Sequence, residues 1–109
     1  MIIERIKLTA HPAGRLQLSK ALVSLTGPTA VSPGCMDCNV FQSFQDDNEL
    51  LVEMNWESPE DLMCHLKSDT YKRLLLLMEL SPRPPVIQFY SVQELRGLDL
   101  VEAARSSSD

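Results

Sequence analysis

The sequence predicts an α+β fold, a ferredoxin-like β-α-β-β-α-β sandwich with helices on one face of a four-stranded antiparallel sheet. Three observations predict it. Ile2–Thr9 and Leu50–Trp56 alternate side chains with the period of half-buried strands. Leu18, Ala21, Leu22 and Leu25 recur at i, i+3, i+4 and i+7, the spacing of an amphipathic helix. Asp46-Asp47-Asn48 has the composition of a tight turn between two strands.

The elements follow in order. Ile2, Glu4, Ile6 and Leu8 alternate with Ile3, Arg5, Lys7 and Thr9 in the first strand, and His11-Pro12-Ala13-Gly14 breaks it. The first helix ends at Gly27-Pro28, and a loop runs to Pro33-Gly34. The second strand is expected over Cys38–Gln45, with Val40, Phe41 and Phe44 as apolar members, and it forms a hairpin with the third. Ser58 caps the next helix, with Pro59 at its first position and Glu60 and Asp61 in its first turn. That helical stretch splits near Ser68-Asp69, and the second segment places Tyr71, Leu74, Leu75 and Met78 on one face. Leu74-Leu75-Leu76-Leu77 exceeds what one core-facing stripe absorbs, which points to a subunit contact. Ser81-Pro82-Arg83-Pro84-Pro85 stops the helix, and Val86–Leu95 is the fourth strand. Residues 1–96 form the domain, and 97–109 a short terminal helix and a tail frayed over Ser106–Asp109.

At 109 residues the chain is one domain. Its net charge of −5 disfavours nucleic acid and anionic membrane surfaces, both of which need a basic face. No apolar run reaches the length of a membrane span, and Met1-Ile2-Ile3-Glu4-Arg5-Ile6-Lys7 lacks a signal-peptide pattern, so a soluble cytoplasmic protein is expected. Three cysteines, an odd count, argue against a disulfide framework.

The chemistry-bearing residues concentrate where the third strand gives way to a helix. Trp56, the single Trp, leaves the sheet there, and His65 follows about two turns into the helix. Around this junction the residues resemble the antibiotic-biosynthesis-monooxygenase-like family. The likeness rests on Pro33-Gly34-Cys35 before the second strand, the hairpin, Trp56-Glu57-Ser58, Asp61-Leu62 followed by His65-Leu66-Lys67-Ser68, and the closing Pro84-Pro85-Val86-Ile87. It covers roughly residues 1–95. It implies a dimeric α+β barrel, a homodimer holding a small organic molecule in a cavity between sheet and helices, with Trp56 as the pocket Trp and His65 as the His of the following helix. The family is functionally mixed: cofactor-free monooxygenases of polycyclic phenols, quinol oxygenases and haem-degrading enzymes. The polyketide-oxidising branch has an Asn four residues before this Trp and a Tyr six after it, where this chain has Val52 and Leu62. The haem-degrading branch has a Trp at the position of His65 and its proximal His ten residues later, at Leu75 here, so haem ligation in that manner has no ligand.

Each candidate also has a plain structural role. Trp56 anchors a small core by its size alone. His65, which titrates near neutrality, is the acid–base candidate for taking a proton from a phenol or quinol, or else a packed or surface His. Asn55, Tyr71 and His11 are candidate substrate-binding residues; His11 lies in the loop after the first strand, at one end of the sheet. Cys35-Met36-Asp37-Cys38 is a CxxC with redox or zinc potential, yet a strand rather than a helix follows it, and no further pair of ligands accompanies it. Cys64 is expected in the core. The leading expectation is a cofactor-independent oxygenase-like protein acting on a small aromatic, phenolic or quinol-type molecule, with no metal. The alternatives are a non-catalytic ligand-binding or stress-related dimer, and a thiol redox or metal protein centred on Cys35, Cys38 and Cys64.

Overall fold

The computed structural model describes residues 1–106. The elements are β1 (Ile2–Thr9), a 3-10 turn (Pro12–Gly14), α1 (Arg15–Ser24), α2 (Thr26–Ala30), β2 (Cys35–Gln42), β3 (Glu49–Trp56), α3 (Pro59–Leu66), α4 (Asp69–Met78), β4 (Val86–Ser91) and α5 (Leu98–Ser106). The sheet runs β2-β3-β1-β4, with every neighbouring pair antiparallel. This is the expected ferredoxin-like α+β architecture.

The strand alternation decides which residues face the helices. Ile6 and Leu8 of β1 and Leu50, Val52, Met54 and Trp56 of β3 are all buried, and they pack with Leu18 and Leu22 of α1 and with Leu62, Tyr71, Leu74 and Met78 of α3 and α4. The opposite face carries Arg5, bonded to Glu53 at 2.9 Å, and Asn55, bonded to Asp37 at 2.6 Å. Ile3, Leu51, Phe41 and Tyr90 share that face, because the register pairs Ile3 with Asn55 and Tyr90, and Leu51 with Phe41.

Local expectations fare unevenly. Ser58 caps α3, its hydroxyl accepting the Asp61 N–H at 3.2 Å while donating to the Asp61 carboxylate at 2.8 Å. Ser68 caps α4, accepting the Tyr71 N–H. Gly27-Pro28 does not end the helical region. Pro28 lies inside α2, within the first turn, where a missing N–H costs no bond. β2 begins three residues earlier than expected, at Cys35, because its pairing is anchored by Cys35 opposite Trp56 and passes a bulge before Asp37. Ser43–Asn48 then form the hairpin loop, so Phe44 is fully exposed rather than a strand residue. β4 stops at Ser91, and Ser106 closes α5; the rest of the expected frayed tail, 107–109, lies outside the described residues. Of the four leucines, Leu74 is buried and Leu77 packs partly against the core, while Leu75 and Leu76 are exposed.

Gly34 shows why Pro33-Gly34-Cys35 stands where it does. Its φ is +78°, a conformation that costs an L-residue about 1–2 kcal/mol. A Cβ there would overlap the Asp61 carboxylate. Its carbonyl accepts the Glu57 N–H at 2.9 Å, so this glycine ties the entry of β2 to the start of α3.

Candidate functional site

The site is assembled on the inner sheet face. Ile2 stands opposite Trp56 and Glu4 opposite Met54, so Trp56 and Glu4 are diagonal neighbours on adjacent strands. The chain turns at Glu57-Ser58 into α3, whose inward face carries Leu62 and His65. The Ser68 cap reorients it into α4, which turns Tyr71 inward. His65 therefore lies between two aromatic rings. Its ring centroid is 4.5 Å from that of Trp56, tilted by 31°, and 5.0 Å from that of Tyr71, nearly perpendicular at 77°. Its Nε2 is 4.0 Å from Glu4 Oε1.

Glu4, Trp56, His65 and Tyr71 are 0 %, 0 %, 4 % and 5 % exposed. Their polar atoms are unusually poorly paired. Both Glu4 carboxyl oxygens, Trp56 Nε1 and both His65 nitrogens are buried without a hydrogen-bond partner. Such groups are normally satisfied, so five of them at one place set this cluster apart from the apolar core around it.

Burial sets the charges. Removal from water lifts the Glu4 carboxyl from 4.5 to about 7; the nearby Tyr71 hydroxyl and Trp56 N–H pull the other way without closing a well-formed hydrogen bond. Burial pushes the His65 imidazole down to about 4, leaving it neutral at physiological pH with a lone pair free to accept a proton. The Tyr71 phenol is pushed up, first by burial and then by Glu4, and remains a hydroxyl donor.

A cavity of about 200 Å³ opens beside this cluster, lined by Ser32, Pro33, Asp61, Cys64, His65 and Ser68. Drug-sized ligands occupy about 300–1,000 Å³, so this volume suits a molecule of one ring. A second, larger groove of about 550 Å³ lies at the other end of β1, along α1, and is lined by His11, Gln17, Leu18, Ala21 and Leu80 among others.

The structure thus brings Trp56, His65 and Tyr71 together and sets the other candidates apart. Asn55 points to the opposite sheet face, where Asp37 holds its side chain. His11 borders the larger groove, away from His65. Cys35 and Cys38 are half-buried and free. Burial, and then the Asp37 carboxylate, raises the Cys35 thiol; burial above all pushes Cys38 up to about 12. Both are therefore thiols at neutral pH, the reverse of what a reactive dithiol needs. Cys64, expected in the core, is exposed on α3. Among the described residues, no three His, Cys, Asp or Glu side chains gather closely enough to hold a metal ion. Leu75 is 45 % exposed, and no His stands there to ligate haem. Val52 and Leu62 are buried among apolar side chains.

Glu4 is the residue that sequence reasoning missed. The signal was present: Glu4 alternates in phase with Ile2, Ile6 and Leu8, so it is the one charged residue on the core-facing side of the first strand.

No curated protein sequence matches the chain. Solved structures share its fold. A candidate antibiotic biosynthesis monooxygenase from Deinococcus radiodurans superposes with a TM-score of 0.80 at 20 % identity, covering 89 % of this chain and 97 % of its own. A conserved protein from Methanosarcina mazei Go1 does so with a TM-score of 0.77 at 24 % identity, covering 85 % and 94 %. Rv0793 from Mycobacterium tuberculosis gives 0.78 at 21 % identity, covering 88 % and 98 %. The sequence model of the antibiotic biosynthesis monooxygenase family matches residues 1–75, a span that holds Glu4, Trp56, His65 and Tyr71 together. The chain belongs to the antibiotic biosynthesis monooxygenase family.

Proposed function

We propose that this chain is a cofactor-independent oxygenase for a one-ring phenol or quinol, working as a homodimer in the cytoplasm. One observation carries the reading: a neutral, unpaired His65 held between the Trp56 and Tyr71 rings beside a small cavity. The imidazole of His65 is the ring that meets the cavity, and its unpaired nitrogens favour a hydroxyl on the bound molecule. Taking the hydroxyl proton leaves an electron-rich oxyanion able to pass an electron to O2, the step such chemistry needs without a cofactor. Trp56 and Tyr71 hold the His65 ring from either side, and His65, the one member of the cluster that lines the cavity, is the base.

Dimerisation is favoured by apolar surface on two faces: Phe41, Val86 and Tyr90 on the uncovered side of the sheet, and Leu75 and Leu76 on α4. Three free thiols suit a reducing compartment. The test is oxygen uptake with hydroquinone, catechol and a naphthoquinol, by the native chain and by His65→Ala. Uptake above the protein-free rate that His65→Ala abolishes supports the proposal; rates equal to the protein-free control refute it.

One observation favours a second reading, ligand binding without turnover. The two positions at which the polyketide-oxidising branch places an Asn and a Tyr are filled by Val52 and Leu62, which are packed into the core. Native mass spectrometry that finds a dimer retaining an organic molecule, with no oxygen uptake on any quinol, would select that reading.

A further inference from the structure

His65 alone is a poor base for a phenol. Its protonated form is disfavoured by the same burial that keeps it neutral, down to about 4, whereas an ordinary phenol gives up its proton near ~10. The structure supplies what is missing on β1. Glu4, on the central strand β1, is fully buried, and both of its carboxyl oxygens lack partners. It faces His65 from α3, Tyr71 from α4, Trp56 from β3 and Cys38 from β2, and no cationic side chain is among them. A carboxyl group without a cation or a full set of hydrogen bonds is costly to bury. The Tyr71 hydroxyl and the Trp56 N–H stand near it, yet neither closes a well-formed hydrogen bond, on a face that Ile6 and Leu8 otherwise make apolar.

We propose that Glu4 is the positioning residue of this site, paired with His65 so that a proton taken from a substrate hydroxyl passes through the imidazole and comes to rest on the Glu4 carboxylate. The substrate O–H bond breaks as its proton joins the unprotonated ring nitrogen. The proton on Nε2 moves to Glu4 Oε1. The products are the substrate oxyanion, a neutral imidazole and a neutral carboxylic acid, so the charge in the site is unchanged and only its position moves. The 4.0 Å gap must close by roughly 1 Å, the kind of tightening expected when an empty site takes its ligand. Glu4, held at about 7, is also much nearer than His65 to the acidity of a phenol.

The inference rests on the phenol or quinol reading, and its test separates the two. The first measurement needs no ligand: the His65 ring signals are followed by NMR across pH in the native chain and in Glu4→Gln. The pairing predicts an inflection near pH 7, reporting Glu4 ionisation, that disappears in Glu4→Gln. Identical curves overturn the proposal. Should Glu4→Gln fail to fold, His65→Gln reads the pair from its other end, and the Glu4 carboxyl midpoint must rise; an unmoved midpoint overturns it. The second measurement uses 4-nitrophenol as the probe. Bound probe must absorb as the phenolate in the native chain and as the neutral phenol in Glu4→Gln at the same pH; neutral probe in both overturns the proposal. Where turnover is found, Glu4→Gln should lower kcat by about 100-fold or more and remove the pH-7 limb, with KM changed less than about threefold. A uniform loss with the limb retained would mark a structural role and overturn the proposal. Absence of oxygen uptake in the native chain refutes the functional reading, while the ring titration still decides the pair.

Discussion

Replacing Glu4 with Gln keeps the size and shape of the side chain and removes its charge, so its effect on stability isolates the buried carboxyl. Between about pH 4.5 and 7 the folded chain keeps a proton on Glu4 that the unfolded chain has released. Raising the pH through that window therefore destabilises the native fold. Moving a carboxyl from 4.5 to about 7 corresponds, at about 1.4 kcal/mol for each pKa unit, to about 3 kcal/mol. His65 acts in the opposite sense. Between about pH 4 and 6.5 the unfolded chain holds a proton that the folded chain refuses, so raising the pH there stabilises the fold by a similar amount, about 3 kcal/mol. The two slopes nearly cancel where they overlap, and the native chain hides both. Glu4→Gln uncovers the His65 slope. Relative to the native chain, it should gain about 3 kcal/mol between pH 4.5 and 8. Urea unfolding followed by circular dichroism, at one fixed protein concentration, reads this as a relative midpoint shift of about 1–3 M, given ordinary m-values for a small domain. A midpoint difference that is the same at pH 4.5 and pH 8 would mean that the Glu4 carboxyl titrates as an exposed group does, and would refute its burial away from solvent.

Further expectations follow from particular contacts. Gly34→Ala should destabilise by more than about 2 kcal/mol in thermal unfolding, from its positive φ and the clash with Asp61, and Asp61→Ala in the same chain should return part of that loss. Ser58→Ala should cost about 1 kcal/mol by removing the α3 cap, measured the same way. Labelling with a thiol-reactive disulfide reagent at pH 7 should modify the exposed Cys64 first and Cys38 last, since Cys38 is held near about 12; fast labelling of Cys38 would contradict the buried thiol described here.

The fold was legible because its elements carry clean periods and punctuation. Ile2–Thr9 alternates without interruption, Ser58 and Ser68 sit where caps must, and the split between α3 and α4 falls at Ser68 as its side chain dictates. What escaped is where tertiary pairing overrides local pattern. Cys35 belongs to a strand because Trp56 stands opposite it, a fact of register that no local window contains. Thr26–Ala30 is helical although Gly27-Pro28 reads as a breaker, because proline is compatible with a first turn. In the site, Trp56, His65 and Tyr71 were found through a familiar strand-to-helix junction. Asn55 is next to Trp56 in sequence, yet neighbours in a strand face opposite ways, and its side chain is bound to Asp37. Glu4 shares the core-facing phase of β1 with Ile2, Ile6 and Leu8, but the approach of Trp56, His65 and Tyr71 that makes it part of the site is a tertiary fact its own strand does not contain.

The proposed activity is that the Trp56–His65–Tyr71 cluster activates a phenol or quinol toward O2. The most direct test is turnover under heavy-isotope O2, with the aromatic product weighed by mass spectrometry. One labelled oxygen atom is expected in the product of the native chain, and no product above background from His65→Ala. Product whose new oxygen comes from water, or labelled product formed equally well by His65→Ala, would contradict it.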